Sequence, residues 1–116
     1  MMLILVSDAF SLQLKTYKEH KRTKEGMMLI KTHLLGAGEA WILTNEWLKQ
    51  KGKSPLFCAP KHIIAPETFL EIIDQKTRKL DKILTIQEKK KFDFEGTPIL
   101  LMVLDELMKE YPCKSQ

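Results

Sequence analysis

Two cysteines, Cys58 and Cys113, enclose almost half of this 116-residue chain. Cys58 lies in Leu56-Phe57-Cys58-Ala59-Pro60, just past a helix-like stretch. Cys113 lies in Glu110-Tyr111-Pro112-Cys113, just after the last one. Each closely follows an aromatic residue and has a proline beside or near it, which sets both in rigid, non-helical turns at an apolar edge. If they pair, the bond ties the end of the chain to its middle and places the protein outside a reducing cytosol.

The length suits one domain with one core and little spare stability. Apolar residues make up 44% and charged residues 29%, a globular balance and not a disordered one. The formal charge of +4 is spread over several segments and interleaved with acids, so a solvated surface is the default reading. The densest basic stretch, residues 15–24 with Lys15, Lys18, His20, Lys21, Arg22 and Lys24, holds Tyr17 as its one aromatic and carries no nucleic-acid reader motif. No segment reaches the roughly 18 apolar residues of a membrane helix, so neither nucleic acid nor membrane insertion is expected. At the start, Leu3-Ile4-Leu5-Val6 precedes Ser7-x-Ala9, a small-x-small pattern like a signal-peptidase site but without a basic region before it. Residues 1–10 are therefore read as the remnant of an export signal or as a frayed, disordered N-terminus, and residues 11–116 as a single helical domain.

Apolar spacing organises that domain. Residues 15–22 suit a short helix with Leu12, Leu14 and Tyr17 as its apolar side. Thr23 can cap the next helix, over residues 24–51, where Met27, Ile30, Leu34, Ala37, Trp41 and Leu48 recur at helical spacing. Met28, Leu35, Ile42 and Leu43 widen this stripe, which makes the helix the expected centre of the core. Lys49, Lys51 and Gly52 mark its end. Gly36 and Gly38 each cost about 1 kcal/mol inside it, a cost offset by close packing of another helix or tolerated at a kink. Gly36-Ala37-Gly38 lacks the third glycine and the preceding strand of a dinucleotide loop.

Residues 53–65 read as a loop, and Pro66-Glu67 opens a further helix with Phe69, Leu70, Ile72 and Ile73 on its core face. Leu80, Ile83, Leu84 and Ile86 either continue that helix or follow a break near residues 76–79. Residues 88–94 read as a charged connection. Thr97-Pro98 repeats the cap-then-proline signal and opens a final helix whose run Ile99-Leu100-Leu101-Met102-Val103-Leu104 should be mostly buried. The expected class is all-α, a compact bundle of four or five helices stapled by one disulfide.

Catalytic chemistry finds little support. Cys58 and His62 are four apart, but Pro60 breaks any helix that would align them, and no acid or oxyanion motif is near. His20, His33 and His62 show no paired-ligand spacing, and His33 reads as a satisfied core or boundary residue. The acidic pairs Asp105-Glu106 and Glu71/Asp74 sit among lysines and read as surface charge. The methionines at 27, 28, 102 and 108 suit core packing. Trp47 lies off the main stripe, either as an interface anchor or packed on the 53–60 loop. No cofactor, metal or enzymatic activity is expected; the chain reads as a binder.

Thr32-His33-Leu34-Leu35-Gly36-Ala37-Gly38-Glu39-Ala40, then Asn45, then Leu56-Phe57-Cys58-Ala59-Pro60, resemble a known family. Leu101-Met102-x-Leu104-x-x-Leu107 and Tyr111-Pro112-Cys113 complete the pattern, which spans residues 27–113. This is similar to the Rap/Tai immunity proteins of bacterial type VI secretion, which carry a Leu-x-Gly-x-x-x-Gly/Ala helix, a Cys-x-Pro loop and a terminal aromatic-Pro-Cys. The chain departs from the pattern with Tyr111 in place of the more usual phenylalanine and with a long, lysine-rich segment at 76–94.

The resemblance implies a periplasmic protein, homodimeric, that occludes the catalytic cleft of a peptidoglycan amidase or endopeptidase toxin. It implies a structural Cys58–Cys113 disulfide, contributing about 4 kcal/mol in the chain-entropy model. Gly36 and Gly38 would permit close helix contact. The polar stretches 49–57 and 89–96 are the expected partner surfaces, with Trp47, Lys53, Phe57, Lys91 and Phe92 as candidate contacts. A periplasmic structural or chaperone-like helical domain without a toxin partner is the alternative, and a cytosolic nucleic-acid binder using residues 15–24 is a third reading.

Overall fold

The computed structural model describes residues 12–114; the expectation for residues 1–10 falls outside them. Among the described residues five α-helices follow one another: α1 (Leu14–His20), α2 (Lys24–Gln50), α3 (Pro66–Ile83), α4 (Ile86–Lys91) and α5 (Ile99–Glu110). Two 3-10 turns, Lys61–Ile63 and Phe94–Gly96, precede α3 and α5. The fold is all-α, and among the described residues the one β-type pairing is an isolated bridge between Gln13 and Pro98.

The ends of α2 follow their local chemistry. The Thr23 side chain accepts from the Gly26 N–H at 2.9 Å, and Gly52 beyond the last turn takes the left-handed φ of 72° that closes such helices. Ile30, Leu34 and Gly38 are buried, with Met27, Ala37, Trp41 and Leu48 half-buried beside them. The wider stripe is a correction. Met28, Leu35, Ile42 and Leu43 are all exposed, as is Leu29. α1 and α3 pack on α2 from one side, and these residues point away from both.

The three glycines of α2 have different neighbourhoods. A Cβ at Gly26 would collide with the His20 backbone carbonyl, because the turn from α1 brings the chain back against the first turn of α2. A Cβ at Gly38 would meet Ile64 Cγ2 at 3.1 Å and the Phe69 ring at 3.3 Å. At Gly36 nothing lies within 4 Å and the residue is exposed, so the expected close packing does not occur there. Thermal unfolding should separate the sites by sign. Gly36→Ala should stabilise by about 0.5–1 kcal/mol through helix propensity. Gly26→Ala should destabilise by roughly 1–3 kcal/mol, because backbone must move.

Pro66 stands in the first turn of α3, and the helix runs unbroken through residues 76–79 to Ile83. The charged connection expected at 88–94 is instead largely α4. The Glu88 N–H donates to Thr85 Oγ1 (3.1 Å) and the Thr85 N–H to Glu88 Oε1 (2.9 Å), a reciprocal cap that nucleates this short helix. α5 starts at Ile99 as expected, with Pro98 rather than Thr97 at the cap position. Thr97 does not cap it with its side chain. The Thr97 carbonyl accepts from the Leu14 N–H at 2.8 Å, and the Ile99 N–H donates to the Leu12 carbonyl at 2.9 Å. The chain entering α1 thus satisfies the start of α5. Ile99, Met102, Val103 and Leu107 are buried, whereas Leu101 faces out.

One core joins these elements: Leu14, Tyr17, Ile30, Leu34, Phe57, Phe69, Ile73, Phe94, Ile99, Met102, Val103 and Leu107. Burying a large apolar side chain contributes about 1.5–3 kcal/mol, so this cluster sets the geometry of everything attached to it. Trp41 closes one end, meeting Phe57 and Phe69 edge-on with ring centroids 6.3 and 5.5 Å away.

Candidate binding surface

The segment after α2 is irregular yet fixed at three points. Cys58 and Cys113 form a disulfide with their Cα atoms 5.0 Å apart, and the Cys58 N–H donates to the Tyr111 carbonyl at 2.7 Å. Asn45 reaches out of α2: its Oδ1 accepts from the Leu56 N–H at 2.8 Å, and its Nδ2 donates to the Phe57 carbonyl at 3.3 Å. Phe57 itself, 3% exposed, fills the core beside Trp41. Phe57 is therefore corrected from a partner contact to a core anchor, since a side chain that plugs the core presents nothing to solvent.

What this framework presents outward is Trp47, Lys51 and Lys53. Trp47 is 55% exposed on the last turns of α2, with Lys51 Nζ 6.0 Å from its ring centroid. Lys53 is exposed just beyond. An indole with a lysine over its ring, on the end of a long helix, loses little conformational entropy when covered. Lys91 and Phe92 are exposed too, but at a separate corner where α4 meets the Phe94–Gly96 turn. That corner is held by Lys18–Glu95 (2.9 Å), by Lys89–Asp81 (2.6 Å), and by Lys18 and Lys89, each 5.6 Å from the buried Phe94 ring.

Several titratable groups are engaged in structure. Tyr17 donates its hydroxyl to Asp74 Oδ1 at 2.8 Å, and Lys21 reaches the same oxygen at 2.9 Å. Burial first, then the Asp74 bond and charge, push the Tyr17 phenol far above its ordinary range. Asp105 meets Lys76 at 2.6 Å and Lys109 at 3.2 Å, which together hold its carboxyl below the usual value, and Glu106 lies 3.6 Å from Lys76. The Cys58 sulfur is bonded to Cys113 and is no nucleophile for His62, which is exposed. His33 differs from its expectation as a satisfied residue: its Nε2 is buried with no hydrogen-bond partner, and burial lowers its basicity. Among the described residues, no three His, Cys, Asp or Glu side chains gather as metal ligands. An open cleft of about 520 Å³ lies between α3 and α5 over Ile72 and Leu80, with Glu71, Lys79, Lys109 and Glu110 on its rims.

The structural role of Asn45 was not read from the sequence, although its place between a helix and an irregular segment is where a side-chain amide can clamp backbone. The chain matches no family model, no curated protein and no solved structure.

Proposed function

We propose that this chain is an exported immunity protein that binds a peptidoglycan-cleaving amidase or endopeptidase and covers its catalytic cleft. The observation that carries the reading is the Cys58–Cys113 bond, which joins the two motifs on which the resemblance rests. Such a bond is usable in an oxidising compartment, and the periplasm is the one proposed. The contact edge assigned to the hydrolase is Trp47 with Lys51 and Lys53, because the disulfide and Asn45 fix the segment behind it. Aromatic anchors flanked by charge carry a disproportionate share of binding energy. The homodimer belongs to the same proposal. Its seat is the outer face of α2, where exposed Leu29, Gly36 and Leu43 recur every seven residues and the bare glycine allows a second helix to approach.

The test mixes the oxidised protein with any peptidoglycan hydrolase found encoded beside it and follows the clearing of purified cell wall. Stoichiometric inhibition is expected, with Trp47→Ala weakening it at least tenfold. Undiminished hydrolysis at a large excess of the protein would overturn the reading.

A further inference from the structure

The corner between α3 and α4 carries two kinds of exposed side chain within one short stretch of chain. Ile83, Ile86 and Phe92 are 63%, 73% and 67% exposed, three large apolar side chains within ten residues of chain. Between and beside them stand Arg78, Lys79, Lys82, Lys89, Lys90 and Lys91, against Asp81 and Glu88 over the same stretch.

Both of those acids are engaged. Asp81 is held by Lys89 at 2.6 Å, and Glu88 closes the reciprocal cap with Thr85. Of the two that follow, Glu95 is paired with Lys18 and Asp93 carries the left-handed turn into the next element. Lys82, Lys90 and Lys91 form no ion pair among the described residues and are exposed. Lys82 adjoins Ile83 at the end of α3, and Lys90 lies one turn from Ile86 on α4. No helix among the described residues is long and apolar enough to cross a membrane, so any lipid contact here is at the surface.

We propose that this corner docks on an anionic bilayer, with Ile83, Ile86 and Phe92 entering the acyl boundary and Lys82, Lys90 and Lys91 meeting lipid phosphates. Apolar wedges ringed by cations match the two layers of such an interface, an oily interior beneath a negatively charged headgroup plane. A nucleic acid would use the lysines but gains nothing from two exposed isoleucines, which offer no ring for base stacking. None of these residues belongs to the Trp47 edge assigned to the hydrolase.

Vesicle flotation tests this with the oxidised full chain and no hydrolase present. Binding is expected to vesicles of phosphatidylcholine with one-third phosphatidylglycerol, and not to phosphatidylcholine alone. Lys90→Gln/Lys91→Gln should weaken it about thirty-fold, and Ile86→Glu/Phe92→Glu at least tenfold. All four positions are exposed, so circular dichroism should show both variants folded. Equal flotation with the two vesicle types would overturn the proposal. So would binding that Ile86→Glu/Phe92→Glu leaves intact, or a preference for duplex DNA that the same variant keeps, since either assigns the corner to a generic polyanion.

Discussion

Reducing the Cys58–Cys113 bond should lower the stability of this protein by about 4 kcal/mol, the loop-closure entropy released to the unfolded chain by a loop of this length. For a domain of this size that corresponds to a fall in Tm on the order of 15 °C, readable by thermal circular dichroism with and without reductant. Cys58→Ser, Cys113→Ser and the double variant should fall by the same amount, because either single change removes the whole bond. The folded state offers some resistance. The Cys58 N–H still reaches the Tyr111 carbonyl, Asn45 still clamps residues 56 and 57, and Phe57 remains in the core. Reduction should therefore leave a folded but less stable protein, with the end of α5 the first part to detach. A Tm change below about 3 °C would show that the reduced, unfolded chain is already restricted by residual structure, and the export argument would lose its energetic support.

The legible parts of the fold were those decided within a few residues. Thr23 before a periodic stretch, Gly52 after it and Pro66 in a first turn act through their own backbone, so their neighbours in sequence suffice. The disulfide was legible through its two rigid turns. Burial on α2 was not, because periodicity reports an apolar side without saying how many neighbours exist to cover it. α1 and α3 cover one face, and Leu29, Leu35 and Leu43 are left outside. Gly36 and Gly38 look equivalent in sequence, yet they differ entirely by where Phe69 lands. Phe57 stands in a polar, proline-punctuated stretch that reads as surface; its burial depends on Trp41, sixteen residues earlier, presenting a ring edge. α4 was readable from Thr85-x-x-Glu88 but was masked by the lysine run that follows. The Trp47 edge was readable as an aromatic off the core stripe, whereas the base that orders it, Asn45 clamping residues 56 and 57, required the tertiary fold.

Phe69→Ala should be as damaging as losing the disulfide, at about 3–5 kcal/mol, measured by chemical denaturation at fixed temperature. Phe69 is fully buried where α3 crosses α2, with its ring edge-on to Trp41 and against Gly38. Removing it opens a void that rigid neighbours on two helices cannot readily fill. The same contact predicts a coupling that distinguishes packing from general destabilisation. Alone, Gly38→Ala puts a methyl group 3.3 Å from the Phe69 ring and 3.1 Å from Ile64 Cγ2, tighter than most carbon contacts, and should cost stability despite alanine's higher helix propensity. In a Phe69→Leu background the ring edge is gone while the Ile64 contact at 3.1 Å stays, so Gly38→Ala should cost less than it does alone. The cycle should close with a favourable interaction of roughly 0.5–3 kcal/mol. Additive effects would mean that Gly38 is not where α3's core side chain meets α2. Domains of this size are stable by only about 5–15 kcal/mol, so Phe69→Ala combined with reduction should bring the chain close to unfolding. A core this small and a staple this long are jointly necessary because neither alone leaves much margin.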